Sequence, residues 1–261
     1  DMSYVRASRS FLGEPSVIRR ALAFQHMDDE PPGLFGRFLA EQGAELDVVM
    51  LHRGEAIPSL APYDFLLVMG GAMDVWETST HPWLKDEIAA IREWTVHRNR
   101  PFMGVCLGLQ LLAVALGGEV GLARAAEVGF GKVELNALGL SHPMTRGLPP
   151  SLKVMQWHHA EVTRIPAGAE VLASSSVSPV QVMSIGRDIL ATQFHGELTP
   201  ALIDRWAHIP QYLEWLDAAM GPNAYARVKA QSKPQMPKIE RVSRTMFRNL
   251  IANRKSIRAA A

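Results

Sequence analysis

The chain holds one cysteine, Cys106, in 261 residues. No internal disulfide can form, so stability must come from a packed core, and a free thiol suits a reducing compartment. Cytoplasm is the expected location. No apolar run approaches the roughly 20 residues that span a bilayer, and no membrane association is expected. Phe11-Leu-Gly-Glu-Pro-Ser-Val-Ile18 is too broken to be the apolar region of a secretory leader. There is no Gly-rich loop ending in Gly-Lys-Ser/Thr, and no Gly-x-Gly-x-x-Gly after the first apolar run, so no nucleotide site is expected. His26, His81, His97, His142 and His208 lack metal-ligand spacing. The adjacent His158 and His159, on a strand, would point to opposite faces. Neither a metal nor a cofactor is expected. Internal repeats, heptads and low-complexity segments are also missing.

What is present is a hydrophobic content of 48%, enough to bury the core of one substantial domain. The net charge of +1 hides an asymmetry. From Arg227 onward come Lys229, Lys233, Lys238, Arg241, Arg244, Arg248, Arg254, Lys255 and Arg258, against Glu240 alone. In the same stretch Ile239, Val242, Met246, Leu250 and Ile251 recur at helical spacing. The segment therefore reads as an amphipathic helix with a solvated basic face. Without an aromatic-interleaved basic patch, nucleic-acid binding is not expected.

Residues 1–17 carry no clear periodicity and read as an N-terminal arm, partly disordered. Residues 18–253 read as one domain, and 254–261 as a basic C-terminal tail. Within the domain, apolar strands alternate with amphipathic helices. Strands are expected at 21–25, 46–50, 65–69 and 102–105, and helices at 34–42, 82–96 and 107–116. That alternation means an α/β fold: a three-layer open, mostly parallel sheet with helices on both faces. After Gly118 the texture becomes short strands with turns, at 128–135, 152–155, 161–165, 170–173, 179–185 and 188–193. They imply a smaller antiparallel region, with a hairpin turn at Gly186-Arg-Asp188. Helices close the chain at 200–220 and 237–253, joined by connectors at 221–223 and 233–237.

The segment most informative about chemistry is Pro101-Phe-Met-Gly-Val-Cys-Leu-Gly-Leu-Gln110. It reads as a short strand running through a tight turn into a helix, with Gly104 and Gly108 flanking the thiol. A thiol at a helix N-terminus meets unpaired N–H groups and the positive end of the helix dipole, which favour its thiolate. Further on, Gln193-Phe-His-Gly-Glu197 offers His195 as a base and Glu197 to orient it, since residues two apart on a strand share a face. The bland reading of a lone cysteine is a small core hydrophobe. The order nucleophile, then His-x-Glu, favours the catalytic one.

With these motifs the sequence resembles the class I (triad-type) glutamine amidotransferases. More narrowly, it looks like their stand-alone members, which are similar to the glutaminase domain of GMP synthase. The resemblance extends over roughly 18–253. Arg19-Arg-Ala-Leu-Ala-Phe-Gln-His26 looks like the opening strand, and Glu30-Pro-Pro-Gly-Leu34 leads into the first helix. Phe65-Leu-Leu-Val-Met-Gly-Gly-Ala-Met-Asp74 looks like the strand and Gly-Gly loop that face the nucleophile. Val128-Gly-Phe-Gly131, Gln156-Trp-His158, Gln193 to Pro200 and Ser243 to Leu250 also have counterparts. Two positions depart. Ala72 stands where members often carry proline, and the His-x-Asp element appears as His158-His159-Ala160-Glu161.

The resemblance implies a flavodoxin-like fold and a Cys-His-Glu triad of Cys106, His195 and Glu197. It also implies oxyanion donors at the backbone N–H groups of Gly71 and Leu107, and a substrate site at Gln110, Gly70, Trp157 and His158. The implied activity is hydrolysis of the γ-carboxamide of L-glutamine through a thioester, with ammonia passed to an acceptor on a separate synthase polypeptide. Two alternatives stay open. One is a hydrolase or transpeptidase of other γ-glutamyl compounds, which the altered 158–161 segment allows. The other is a non-catalytic regulatory binding subunit. The sequence leaves the oligomeric state undetermined.

Overall fold

The computed structural model describes residues 18–252. The expected arm at 1–17 and tail at 254–261 lie outside the described residues. Parallel strands form one half of a nine-stranded sheet: β1 (Arg20–Gln25), β2 (Glu45–Met50), β3 (Phe65–Val68), β4 (Phe102–Val105) and β9 (Ile189–Thr192). The other half is antiparallel: β5 (Glu119–Leu135), β6 (Ser151–Arg164), β7 (Ala169–Ser174) and β8 (Val182–Ile185). The spatial order is β2-β1-β3-β4-β9-β8-β7-β5-β6. The expected α/β architecture is therefore present, and its antiparallel strands extend the parallel sheet edge to edge. The β8–β9 hairpin turns at the expected Gly186 to Asp188.

Alternation along the central strands explains the three layers. Ala21, Ala23, Phe65 and Leu67 face one core, shared with α1 (Gly33–Glu41), α5 (Pro200–Trp206), α6 (Pro210–Met220) and α7 (Ala224–Ala252). Leu22, Phe24, Leu66 and Val68 face the other, beneath α2 (Trp83–Arg92) and α3 (Leu107–Ala115). Both sets are buried, as strands covered on two faces must be. A short α4 (Ala137–Ser141) packs on β7. Among the described residues, no helix is long and apolar enough to cross a membrane.

Four expectations about elements need correction. Strand β6 is continuous from Ser151 to Arg164 and not two pieces, and β5 begins at Glu119 and not Val128. The buried polar residues Gln156 and His158 interrupted the apolar pattern that a sequence reading follows. The helical stretch 200–220 is two helices, because Pro210 brings no N–H and starts a new first turn. The supposed connector 233–237 lies inside α7, prolines included. Proline inside a helix costs about 3 kcal/mol. Here Val228 on one side and Ile239, Val242 and Met246 on the other are buried in the same core, and that packing carries the helix through.

The basic face of α7 is partly consumed locally. Arg244 bonds Glu41 and Glu240 and lies 4.2 Å from the Phe38 ring, while Lys229 pairs with Asp204 at 2.7 Å. These contacts tie the C-terminal helix to α1 and α5.

Candidate active site

Between β4 and α3 the chain turns so sharply that Cys106 takes φ 52° and ψ −104°. A non-glycine residue there costs of order 1–3 kcal/mol and persists only where its surroundings enforce it. The enforcement is visible. The Cys106 N–H donates to the Thr192 carbonyl at 2.8 Å, and its own carbonyl accepts from Leu109 N–H at 3.0 Å. Gly108 allows the elbow to press against β3, since a Cβ there would sit 2.2 Å from the Val68 carbonyl oxygen. Leu107 is the first residue of α3, so its N–H has no intrahelical acceptor.

His195 lies past the end of β9, in a loop fixed from three directions. Its N–H donates to the Met155 carbonyl at 2.9 Å. The Gly196 carbonyl accepts from Ser243 Oγ of α7 at 2.6 Å. The Glu197 carbonyl accepts from Leu34 N–H at the start of α1 at 2.8 Å. The approach of α1 needs Gly33, where a Cβ would meet the Glu197 oxygen at 2.1 Å. So His195 and Glu197 meet through this pinned loop and not through the two-residue repeat of a strand. Their contact is close: His195 Nδ1–H donates to Glu197 Oε1 at 2.7 Å. Both side chains are buried, and the Trp206 ring stands edge-on to the imidazole at 4.9 Å. Burial opposes charge on His195. Glu197 and the Cys106 sulfur favour it and prevail, raising the imidazole's pKa well above the ordinary histidine value. Its Nε2 has no hydrogen-bond partner.

The two halves of the site converge on Gly70, just past β3. A Cβ built on Gly70 would lie 3.1 Å from His195 Cε1 and 3.6 Å from Cys106 Cβ. The thiol lies within 3.9 Å of the Trp157 carbonyl, and Gln193 Nε2 donates to the sulfur at 3.5 Å. Cys106 keeps only 5% of its surface exposed, and what remains lines a small pocket with Gly71, Gln110, Trp157 and His158. The cavity of ≈ 20 Å³ has room for about one water. Met73, Asp74, His159 and Trp215 line it as well.

The remaining expected substrate residues fall as follows. Gln110 is buried and donates to the Ala160 carbonyl at 3.1 Å and to Gln193 Oε1 at 3.2 Å. Trp157 packs edge-on against Trp206 and tilted against Tyr212. His158 Nδ1–H donates to the Ala160 carbonyl at 3.0 Å. Its Nε2 sits 3.2 Å from Glu127 Oε2 on β5, in ionic range without hydrogen-bond direction. The acid facing His158 thus comes from the neighbouring strand and not from Glu161. Both His158 and His159 reach the pocket, contrary to simple strand alternation, next to a register shift in β5 between Leu122 and Glu127.

Sequence reasoning passed over several neighbours. Gln193 shares the His195 motif, so its position was on view but its bond to sulfur was not. Asp74 accepts from His159 Nε2 at 3.1 Å, and both residues line the pocket. Glu30, in the loop before α1, is buried with Oε2 4.0 Å from His195 Nδ1, and its Oε1 accepts from Tyr212 at 2.8 Å. Burial is the main cause that pushes the Glu30 pKa up to about 7. Nearby Glu197 adds to the rise, while His195 and Tyr212 oppose it. Among the described residues, Glu30, His195 and Glu197 each bring a ligand atom within 4.8 Å of the others. Since Nδ1 is already engaged by Glu197, the group serves better as a braced imidazole with a second acid alongside than as a cation cage.

Comparison with known proteins adds an independent line. A family model described as Glutamine amidotransferase class-I matches residues 35–205. A glutamine-hydrolyzing GMP synthase from Aeropyrum pernix is 35% identical over 158 residues, which are 59% of this chain but 28% of that protein. A protein from Sulfolobus acidocaldarius, named as one subunit of a glutamine-hydrolyzing GMP synthase, is 32% identical over 154 residues, covering 59% of this chain and 77% of that one. Among solved structures, a glutamine amidotransferase from Thermotoga maritima superposes with a TM-score of 0.80 at 26% identity, over 89% of this chain and 98% of that one.

Proposed function

Because the chain belongs to the class-I glutamine amidotransferase family, we propose that it hydrolyses the γ-carboxamide of L-glutamine with Cys106 as nucleophile. The observation that carries this reading is the pairing of a strained elbow cysteine with an imidazole whose Nδ1 is braced by Glu197 and whose Nε2 is unspent. Nε2 takes the thiol proton as sulfur attacks the amide carbon. The developing oxyanion is met by the N–H groups of Leu107 and Gly71. Collapse of the tetrahedral adduct breaks the C–N bond, and His195 delivers its proton to the departing nitrogen. Ammonia leaves a γ-glutamyl thioester. Water then attacks the thioester, giving its proton to Nε2, and glutamate is released as the thiol is restored.

Gln110, Trp157, His158 and the Gly70 backbone hold the substrate in this reading. Relatives from Sulfolobus acidocaldarius and Sulfurisphaera tokodaii are each named as one subunit of GMP synthase. Those names support a further step: the ammonia is used by an acceptor enzyme on a separate chain. A second reading, a hydrolase of larger γ-glutamyl amides, has one feature in its favour. Beyond His159 and Trp215 opens a mostly apolar concavity of ≈ 600 Å³, room for a bulky amine.

The test is a substrate panel of glutamine and γ-glutamyl peptides or amines, with glutamate release as the readout. Glutamine turnover that vanishes in Cys106→Ala is expected. A γ-glutamyl peptide turned over faster than glutamine would establish the second reading. No turnover of any member, with no labelling of Cys106 by a glutamine-analogue electrophile, would leave the chain as a non-catalytic subunit.

A further inference from the structure

A second imidazole–carboxylate pair lies just behind the proposed oxyanion loop. His26 follows β1, and the parallel register Phe24↔Val68 carries it to the level of Gly70, just beyond β3. Its Nδ1–H donates to the Gly70 carbonyl oxygen at 2.9 Å, and its Nε2 meets Glu87 Oε1 of α2 at 2.8 Å. Neither side chain has any exposed surface. Trp83 stacks on the ring, with centroids 5.5 Å apart and planes within 11°. Both ring nitrogens are therefore committed. Burial opposes charge on His26, Glu87 favours it, and the net effect raises its pKa.

The Gly70 carbonyl and the Gly71 N–H belong to one peptide unit. That unit is planar and trans, so its C=O and N–H point in opposite directions. Whatever fixes the carbonyl fixes the N–H. Gly71 is also enclosed: a Cβ there would lie 2.6 Å from Met73 Sδ and 3.0 Å from both His26 Cβ and Leu107 Cδ2. A carbonyl held toward His26 turns the N–H away from it, and Gly71 lines the pocket that Cys106 lines. The glycine pair carries no side chains that would otherwise hold this peptide unit in one orientation.

A purely structural explanation of the pair is weak. Buried ion pairs are poor stabilisers compared with apolar residues of similar volume. Moreover, Glu87 Oε2 is buried without a hydrogen-bond partner. We infer that His26, braced by Glu87, is a positioning residue that aims the Gly71 N–H at the oxyanion by holding the carbonyl of the same peptide unit. The inference rests on the proposed role of Gly71.

The test compares wild type with His26→Leu, which keeps the bulk and loses the donor, and His26→Gln, which can still offer an N–H. Turnover is measured on whichever panel substrate the wild type prefers. The rate at which iodoacetamide alkylates Cys106 is measured alongside, since that reaction makes no oxyanion. Protection of Cys106 by butyraldehyde is the third readout, since its hemithioacetal needs the donors but no leaving amine. For His26→Leu, kcat should fall about 10²-fold, the effect of one lost oxyanion donor. KM and the alkylation rate should stay within about threefold on the same reasoning, aldehyde protection should weaken, and His26→Gln should recover part of the loss. Unchanged kcat and protection in a folded His26→Leu protein would overturn the inference. So would an alkylation rate that falls in step with kcat, because His26 would then act on the thiol or the fold. A wild type that turns over nothing sinks the functional reading alone, and aldehyde protection still scores the role of His26.

Discussion

Two buried histidine–glutamate pairs flank the same glycine loop, and they differ in what they leave unspent. His195 bonds Glu197 through Nδ1 at 2.7 Å and keeps Nε2 without a partner beside the thiol. His26 bonds Glu87 through Nε2 at 2.8 Å and spends Nδ1 on the Gly70 carbonyl. Composition, burial and contact distance are nearly the same. A ring with one open nitrogen can move a proton, and a ring with both engaged can only hold a shape. The difference shows why the identity of neighbouring groups says less about function than the count of free donor and acceptor sites.

That contrast can be broken experimentally. The largest effect is expected at the open pair. Glu197→Gln preserves size but disfavours the imidazolium and the required tautomer, so kcat should fall by about 10³–10⁴ while the fold persists. Thermal melts and turnover on the same preparation check both halves of that statement. At the closed pair the His26→Leu effect on kcat should be one to two orders smaller. Glu87→Gln should register chiefly as stability. It exchanges an ionic contact for a neutral one and should cost about 1–3 kcal/mol in denaturant unfolding, with turnover falling less than in His26→Leu. If Glu87→Gln proves as damaging to kcat as Glu197→Gln, the two pairs are not functionally distinct.

A third effect, on stability and dependent on pH, belongs to Glu30, the acid beside His195. Its ordinary pKa of 4.5 is raised by burial to about 7 in the folded chain. Folding therefore favours the protonated form. That contribution is fully present below about pH 4.5 and is lost as pH rises through about 7. Glu30→Gln, permanently neutral, removes the loss. Relative to wild type it should gain stability progressively from pH 4.5 to 7, approaching about 3 kcal/mol at the upper end. Urea unfolding at several pH values reads the gain, and a difference that does not vary with pH would contradict it.

Much of the architecture was legible because it is written locally. The apolar runs at 21–25, 65–69 and 102–105 and the glycines around Cys106 specify strands and an elbow from neighbours alone. His-x-Glu was legible for the same reason. What escaped depends on distant partners. His26 meets a glutamate sixty-one residues away, and Glu30 meets a tyrosine even farther along the chain. No spacing rule connects such residues until the sheet register brings them side by side. The length of β6 escaped because Gln156 and His158 put buried polar groups where an apolar pattern was sought, and the front of β5 escaped because residues 119–127 are exposed or half-buried. The prolines of α7 misled because a local penalty was outweighed by burial at both ends of the same helix.

The bond from Ser243 to the Gly196 carbonyl gives the C-terminal helix a stake in the chemistry. A basic amphipathic segment could be taken for an ornament trimmed without harm. Here its removal would strip a donor from the peptide immediately after the imidazole and loosen the mooring of His195. A single hydroxyl is the join between that distant helix and the residue next to His195.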